Sequence, residues 1–366
     1  MARTGKKAVF GFLPEGRFFA GANTAEGFQS FYPELFRDSE LDALFRIEGG
    51  PGTGKSTLMK KTAETAEKLG AEVERYFCSS DPDSLDAVRI RPAGSTRLVA
   101  LCDCTEPHPR AESSPGIVSR TVDLGRFRND RKLASHRDEI LRLQEQKASA
   151  YSAAYLYLSA AGKVRQARTG ILTETCDLEA MHAAAKRSLL GITGEGSSEI
   201  RRPLSAVSMK GSAVIAADEN CCSRCFITED IYGSASIYLS VLSEEARSNG
   251  LSLLLAPDCV APQQDTSVSI PEAGLTVIAS GAVEEHRAIR TGRFIDKGEL
   301  ARRRRELRAA VKEEEELYRL ACEALKRAAG SHFRLEELYS SAMDFAKKEK
   351  ADAEILKLIG ELINAG

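Results

Sequence analysis

Shifted by 180 residues, the chain falls on itself. Ile47, Ser56, Glu64, Ala66, Gly70, Pro82, Val88, Ile90, Ala93 and Gly94 meet Ile227, Ser236, Glu244, Ala246, Gly250, Pro262, Val268, Ile270, Ala273 and Gly274. These are ten identities over residues 45–94, where chance gives roughly three. Farther on the shift becomes 167, as a shortened loop requires: "GRF" at 125–127 meets "GRF" at 292–294, and Leu133, Glu139, Tyr151, Ala154 and Leu158 meet Leu300, Glu306, Tyr318, Ala321 and Leu325. Upstream, a shift of 184 places Gly27 on Gly211. A duplicated chain calls for two similar cores, in keeping with 366 residues against roughly 100 to 200 for one domain.

Each copy reads as strand, loop, helix, strand, turn, strand, connecting loop and long helices. That order predicts an α/β fold of two tandem units, 17–195 and 200–366, each with a mostly parallel sheet flanked by helices and a long helical extension. Residues 1–16 form an N-terminal segment, and the Gly- and Ser-rich "GITGEGSSE" at 191–199 is the natural linker.

Within the first copy, "EGGPGTGKST" at 48–57 fits G-x-x-x-x-G-K-[ST]. Its flanks supply the context such a motif needs. "ALFRIE" is an apolar run suited to a buried strand, and "STLMKKTAETAEKLG" keeps helical spacing until Gly70. The glycines permit a backbone that turns successive N–H groups onto phosphate oxygens at the positive end of a helix. The predicted phosphate contacts are Gly49, Gly50, Pro51, Gly52, Thr53, Gly54, Lys55, Ser56 and Thr57. Lys55 would reach the β and γ phosphates of ATP, and the Ser56 hydroxyl would ligate Mg²⁺. "RLVALCD" ends a second buried strand at Asp103, where an acid can complete the Mg²⁺ site. Two tandem P-loop NTPase-like domains are therefore the expected fold class.

The second copy has lost this equipment. "TEDIYGSASI" at 228–237 replaces the lysine by Ala235 and brings in Glu229 and Asp230, whose charges would repel a polyphosphate. "LTVIASG" ends in Ser280 and Gly281 where the first copy has Asp103. The duplication thus acts as an internal control: residues kept in both copies serve the fold, and those lost with the lysine are candidates for chemistry. In "CSSDPDSLD" Pro82 recurs as Pro262, while Asp81, Asp83 and Asp86 become Ala261, Gln263 and Thr266. These carboxylates become candidates for orienting water, metal or a second substrate. Glu106 of "TEPH" is a candidate base, although "VEEH", ending at His286, resembles it and favours a structural His108. Arg126 recurs as Arg293, whereas Arg128 and Arg131 become Ile295 and Gly298 and remain candidates for a phosphate-closing lid.

The rest of the sequence is bland by comparison. Its 53 acidic and 51 basic residues demand neither nucleic acid nor a membrane, and no apolar run approaches the roughly 20 residues that span a bilayer. Nine cysteines without an amino-terminal leader indicate a reducing, cytoplasmic setting. Cys222 and Cys225 have C-x-x-C spacing without a second pair for zinc, so burial at a strand start explains them. "RRRREL" and "KEEEEL" at 302–317 read as solvated faces of one long helix, Tyr151 and Tyr155 as helix packing, and His182 as a surface or core residue.

"GANTAEGF", "GGPGTGKST", "CSSDPDSLD", "DCTEPH" and "HRDEI" together make the first half resemble an uncharacterised bacterial family of tandem P-loop NTPases, often described only as ATPases. The resemblance implies nucleotide binding and this fold. It names no substrate, and the degraded second loop departs from a pattern in which both halves can carry one. The expectation is an ATP- and Mg²⁺-dependent NTPase with one working site, Lys55, Asp103, Asp81, Asp83 and Glu106 carrying the chemistry. The rivals are a small-molecule or nucleotide kinase and an ATP-gated interaction module, with a protein or small molecule as partner. GTP has no N-K-x-D segment to read its base.

Overall fold

The computed structural model describes residues 11–106, 108, 114–196, 198–215, 224–279 and 288–365. The first half runs β1 (Arg17–Phe19), a hairpin of β2 (Gly21–Thr24) and β3 (Gly27–Ser30), α1 (Tyr32–Leu35), β4 (Leu41–Glu48), α2 (Lys55–Lys68), β5 (Glu72–Phe77), β6 (Leu85–Arg91), β7 (Leu98–Asp103), β8 (Ser119–Asp123), α3 (Asp130–Ala134), α4 (Arg137–Thr173) and α5 (Leu178–Ser188). The second runs β9 (Glu199–Arg201), β10 (Ser205–Ser208), β11 (Gly211–Val214), β12 (Arg224–Glu229), α6 (Ser234–Ser248), β13 (Leu253–Pro257), β14 (Asp265–Ile270), β15 (Leu275–Ala279), β16 (Ala288–Arg290), α7 (Lys297–Ser341) and α8 (Phe345–Ala365).

The two six-stranded sheets have one topology. Their orders are β1-β5-β6-β7-β4-β8 and β9-β13-β14-β15-β12-β16. Each is mostly parallel, with β6 and β14 running against both neighbours. Even an irregularity repeats: the register slips between Tyr76 and Phe77 in β5 and between Ala256 and Pro257 in β13. β4 and β12 lie between parallel neighbours, and β4 is almost wholly buried, as an apolar run without alternation requires.

The register also shows what stands near the place of Asp103. Val88 faces Leu101 as its counterpart Val268 faces Val277, which puts Ala279 level with Asp103, whereas Ile47 faces Asp103 and its counterpart Ile227 faces Ile278. By either pairing the second strand carries no acid there. Ser280, Gly281, His286 and Cys222 lie outside the described residues, whereas Cys225 is buried in β12.

The helical extensions change sides. α5 of the first half places Met181, Ala184 and Ala185 in one core with Tyr238, Leu239 and Leu242 of α6. Reciprocally, α8 of the second half places Ile359 and Ile363 in the core of Leu58, Met59 and Ala63 of α2. Between them α4 and α7 pack antiparallel. Ile140 and Leu143 near the start of α4 meet Leu335 and Leu338 near the end of α7, and Leu158 and Ala161 meet Ala321 and Leu325 midway. Isolated bridges join Arg128 to Met343 and Cys176 to Ile295, the same pair twice under the shift of 167.

The hairpins are exchanged too. Ala25 N–H, in the β2–β3 turn, donates to Cys259 O (3.1 Å), and its counterpart Met209 N–H donates to Ser80 O (3.0 Å). One junction has no copy. Arg202 of the second half is buried against Glu74 of the first at 2.7 Å, and Glu74 also faces Arg89 at 3.3 Å. Glu314, expected on a solvated face, is instead buried across the α4–α7 seam. There it accepts from Arg165 (2.7 Å) and Arg168 (2.9 Å), and a carboxylate in an apolar seam needs such partners.

Candidate functional site

The loop 49–54 joins the end of β4 to the start of α2 at the C-terminal edge of the first sheet. Gly52 (φ 68°) and Gly54 (φ 82°) are left-handed, a conformation other residues enter at a cost. Their conformation lets the chain double back into the helix, whose first N–H groups have no intrahelical acceptor. Lys55 opens α2 and folds its ammonium over the loop, donating to Gly49 O (2.8 Å) and Gly50 O (2.9 Å). Its Nζ stands 3.5 Å from Asp103 Oδ2. Thr53 Oγ1 donates to Gly50 O (3.0 Å) and braces the turn.

Asp103 ends β7 in parallel register with β4, which is why two residues 48 apart in sequence converge. Its Oδ1 accepts from Thr105 N–H at 2.9 Å. Burial raises its pKa, Lys55 opposes that rise, and Asp86 adds to it. Ser56 Oγ accepts from Leu85 N–H at 2.9 Å, tying α2 to the start of β6. Lys55, Ser56 and Asp103 thus flank the positive end of one helix.

Three of the other predicted acids, Asp81, Asp83 and Asp86, face cations or a histidine outside the loop. Asp81 (2.6 Å) and Asp83 (2.5 Å) both receive Lys210, which reaches across from the β10–β11 turn of the second half. Burial pulls the Asp81 pKa upward, but bonds from Lys210 and Ser84 outweigh it and leave Asp81 below its usual range. Under the shift of 184 the counterpart of Lys210 is Glu26. The loss of these acids in the second copy thus accompanies the reversal of their partner's charge. Asp86 lies 3.3 Å from His108, whose ring stacks on Tyr32 and whose Nδ1 meets Ser30 Oγ at 3.1 Å. Glu106 is exposed just beyond β7. Of the arginines, Arg128 sits beside Gly50 and bonds Asp130 at 2.7 Å, whereas Arg131 is exposed.

What sequence reading missed comes from the exchanged helices. Ser340 Oγ on α7 donates to Gly52 O (3.0 Å), and the Tyr339 ring lies where a side chain at Gly50 would project (3.3 Å). Glu336, one turn earlier on α7, packs its backbone against Gly52, and burial with Asp81 beside it holds its pKa above the usual range. Lys348 of α8, paired with Asp352 at 2.5 Å, donates to Gly54 O at 3.2 Å; both side chains are buried. Lys147 on α4 meets His332 Nδ1 at 3.3 Å, and His332 Nε2 stands 3.7 Å from Glu336. Burial, with Lys147 adding to it, pulls the His332 pKa down to about 4, so a neutral ring accepts from the ammonium. No motif marks these residues, and they lie 200 or more positions from the loop or on an unremarkable helix face.

The second loop has the same place and opposite chemistry. Asp230 Oδ1 accepts from Gly233 N–H and Ala235 N–H, both at 3.0 Å, so a carboxylate from the loop itself caps α6. Arg168, from the first half's α4, lies against Gly233 and is neutralised by Glu314. A cavity of about 200 Å³ remains, lined by Arg168, Asp230, Ala235, Asp258, Asp265 and Ala279. Burial pushes Asp265 up to about 6, with Arg201 opposing.

Among the described residues no group of three or more His, Cys, Asp or Glu is arranged to hold a metal by itself, and no helix is long and apolar enough to cross a membrane. Comparisons with protein-family models, curated proteins and solved structures find no match to this chain.

Proposed function

We propose that the first half binds a nucleoside triphosphate, ATP in the leading reading, on residues 49–57 and hydrolyses it, while the second half completes the site without a reaction of its own. The observation that carries this reading is the convergence of the Lys55 ammonium, the Asp103 carboxylate and the open end of α2 within one loop. The second loop lacks all three features. The loop N–H groups and Lys55 would hold the phosphates. Ser56 and Asp103 fit Mg²⁺, which prefers few protein oxygens and keeps much of its water. When bound, the ion would offset charge on the β and γ phosphates.

Asp81 and Asp83 then act chiefly as anchors for Lys210 rather than as bases. The resemblance to tandem P-loop ATPases rests on the quoted motifs. One observation favours the ATP-gated reading as runner-up: Tyr339, Ser340 and Lys348, all from the other half, touch the loop directly.

Calorimetry and phosphate release on the purified full chain test the reading, with Lys55→Ala as control. Affinity for MgATP is expected to fall about a hundredfold in Lys55→Ala, through the loss of charged hydrogen bonds. Equal binding and turnover in the variant would exclude the loop as the site. Free phosphate as product supports hydrolysis, whereas phosphate on an acceptor supports a kinase.

A further inference from the structure

We propose that Glu336 of α7 is a removable stand-in for phosphate in the first loop, and that a polyphosphate enters by displacing it, so that binding shifts the last turns of α7. This inference rests on the nucleotide reading of the loop and adds its regulation.

Three observations carry it. First, α7 is fixed over the loop by Ser340 Oγ on Gly52 O (3.0 Å) and by the Tyr339 ring on Gly50. One turn earlier, on the same helix face, Glu336 packs its backbone against Gly52 (2.5 Å from where a side chain there would project), and the Gly52 N–H, a donor that phosphate binding would require, helps to hold its carboxylate charged. Second, two ammonium groups, Lys55 on the loop and Lys147 on α4, lie on this side of α7. Burial, with Asp81 adding to it, holds the Glu336 pKa above its usual range, while Lys55 and Lys147 oppose that rise. Lys147 has as its hydrogen-bond partner only the neutral His332 ring at 3.3 Å, so its charge is not matched by a carboxylate within ion-pair distance among the described residues. Third, the duplicated loop shows the same device made permanent. There Asp230 accepts from Gly233 and Ala235 N–H at 3.0 Å, and because it belongs to the loop it cannot leave without breaking the α6 cap.

Glu336 differs in one respect that matters: its side chain is 40% exposed, so it can turn to water when phosphate takes the N–H and the two ammonium groups. The exchange is of like for like in charge, and no bond is made or broken covalently. α7 begins beside the second loop, where Tyr232 Oη accepts from Arg308 at 3.2 Å, and ends on the first. Displacement of Glu336 is therefore felt along a helix that touches both loops.

The test compares Glu336→Gln and Lys147→Met in the full chain, titrated calorimetrically with MgATP and with tripolyphosphate. Glu336→Gln keeps the shape and removes the repulsion, so binding of both ligands should tighten about tenfold. Lys147→Met removes an attractive charge and should weaken both by a similar factor. Hydrogen exchange over residues 330–341 should rise on ligand addition to wild-type protein. Unchanged or weaker binding in Glu336→Gln overturns the proposal; if that variant also loses turnover, Glu336 is a catalytic base instead. Binding of neither ligand by wild type and both variants overturns the proposal together with the nucleotide reading.

Discussion

The two loops occupy the same place in two sheets of the same topology, yet one presents Lys55 and the other a carboxylate. A helix start is favourable to any negative charge, whether a ligand's or the protein's own. In the first loop no side chain of the loop caps the helix start; in the second the preference is satisfied internally by Asp230. The second loop thus differs by more than a missing lysine, because Asp230 engages its own N–H donors. The duplicated scaffold keeps one strand order in both halves although the two loops differ.

The largest expected effect lies where the halves differ without any loop being involved. Arg202→Ala leaves Glu74 buried with Arg89 as its remaining cation. Loss of about 3 kcal/mol is expected in urea denaturation; a near-neutral variant would show that the halves are held by their exchanged helices alone.

Acidity should separate the two loops with opposite signs. His332 is depressed to about 4 in the folded chain, against roughly 6.5 unfolded. The unfolded state then binds the extra proton, so its contribution is present above pH ~6.5 and is lost as the pH falls towards 4. Asp265 is raised to about 6, against roughly 3.9 unfolded. Its contribution is present at low pH and is lost as the pH rises through 6. Each is worth about 2 kcal/mol after solvent screening. His332→Gln should flatten the acid limb of stability, and Asp265→Asn should stabilise the chain at pH 8. Parallel pH profiles in the two variants would break the contrast.

A smaller effect tests the second loop directly. Asp230→Ala removes the α6 cap and should cost about 1 kcal/mol. Ala235→Lys alone should confer no MgATP binding, because Asp230 still holds the loop N–H groups. Binding by that single variant would mean that lysine loss was the whole difference. Smallest of all, Lys210→Ala should cost about 0.5 kcal/mol, since Lys210 and Asp83 are substantially exposed. Turnover should stay within about twofold of wild type; a large fall would return Asp81 and Asp83 to the chemistry.

Much of this was legible in the chain. The run ending at Asp103, the strand before the loop and the helix after it announce themselves through apolar patterning. The repeat fixes the number of sheets. The exchange of α5 and α8 was not legible, because an amphipathic helix declares that it has a buried face without saying whose core receives it. Glu336 and Lys147 were hidden for the same reason. Asp81 and Asp83 admit two readings, because a comparison of copies detects co-loss and cannot distinguish a lost reaction from a lost partner such as Lys210. Glu314 shows the converse: four consecutive glutamates read as solvent-facing until a second helix supplies Arg165 and Arg168.

The reciprocal crossing of helices has a consequence for how such a molecule can change over time. Two identical chains that traded helices about a two-fold axis would suffer every substitution twice, once in each site and once in each covering helix. With both copies on one chain, each position varies alone. A glutamate can then settle over one loop while an aspartate closes the other, and a lysine can replace an acid on only one of two facing turns. A homodimer cannot hold asymmetry of that kind, and here the sheets keep the symmetry that the loops have left behind.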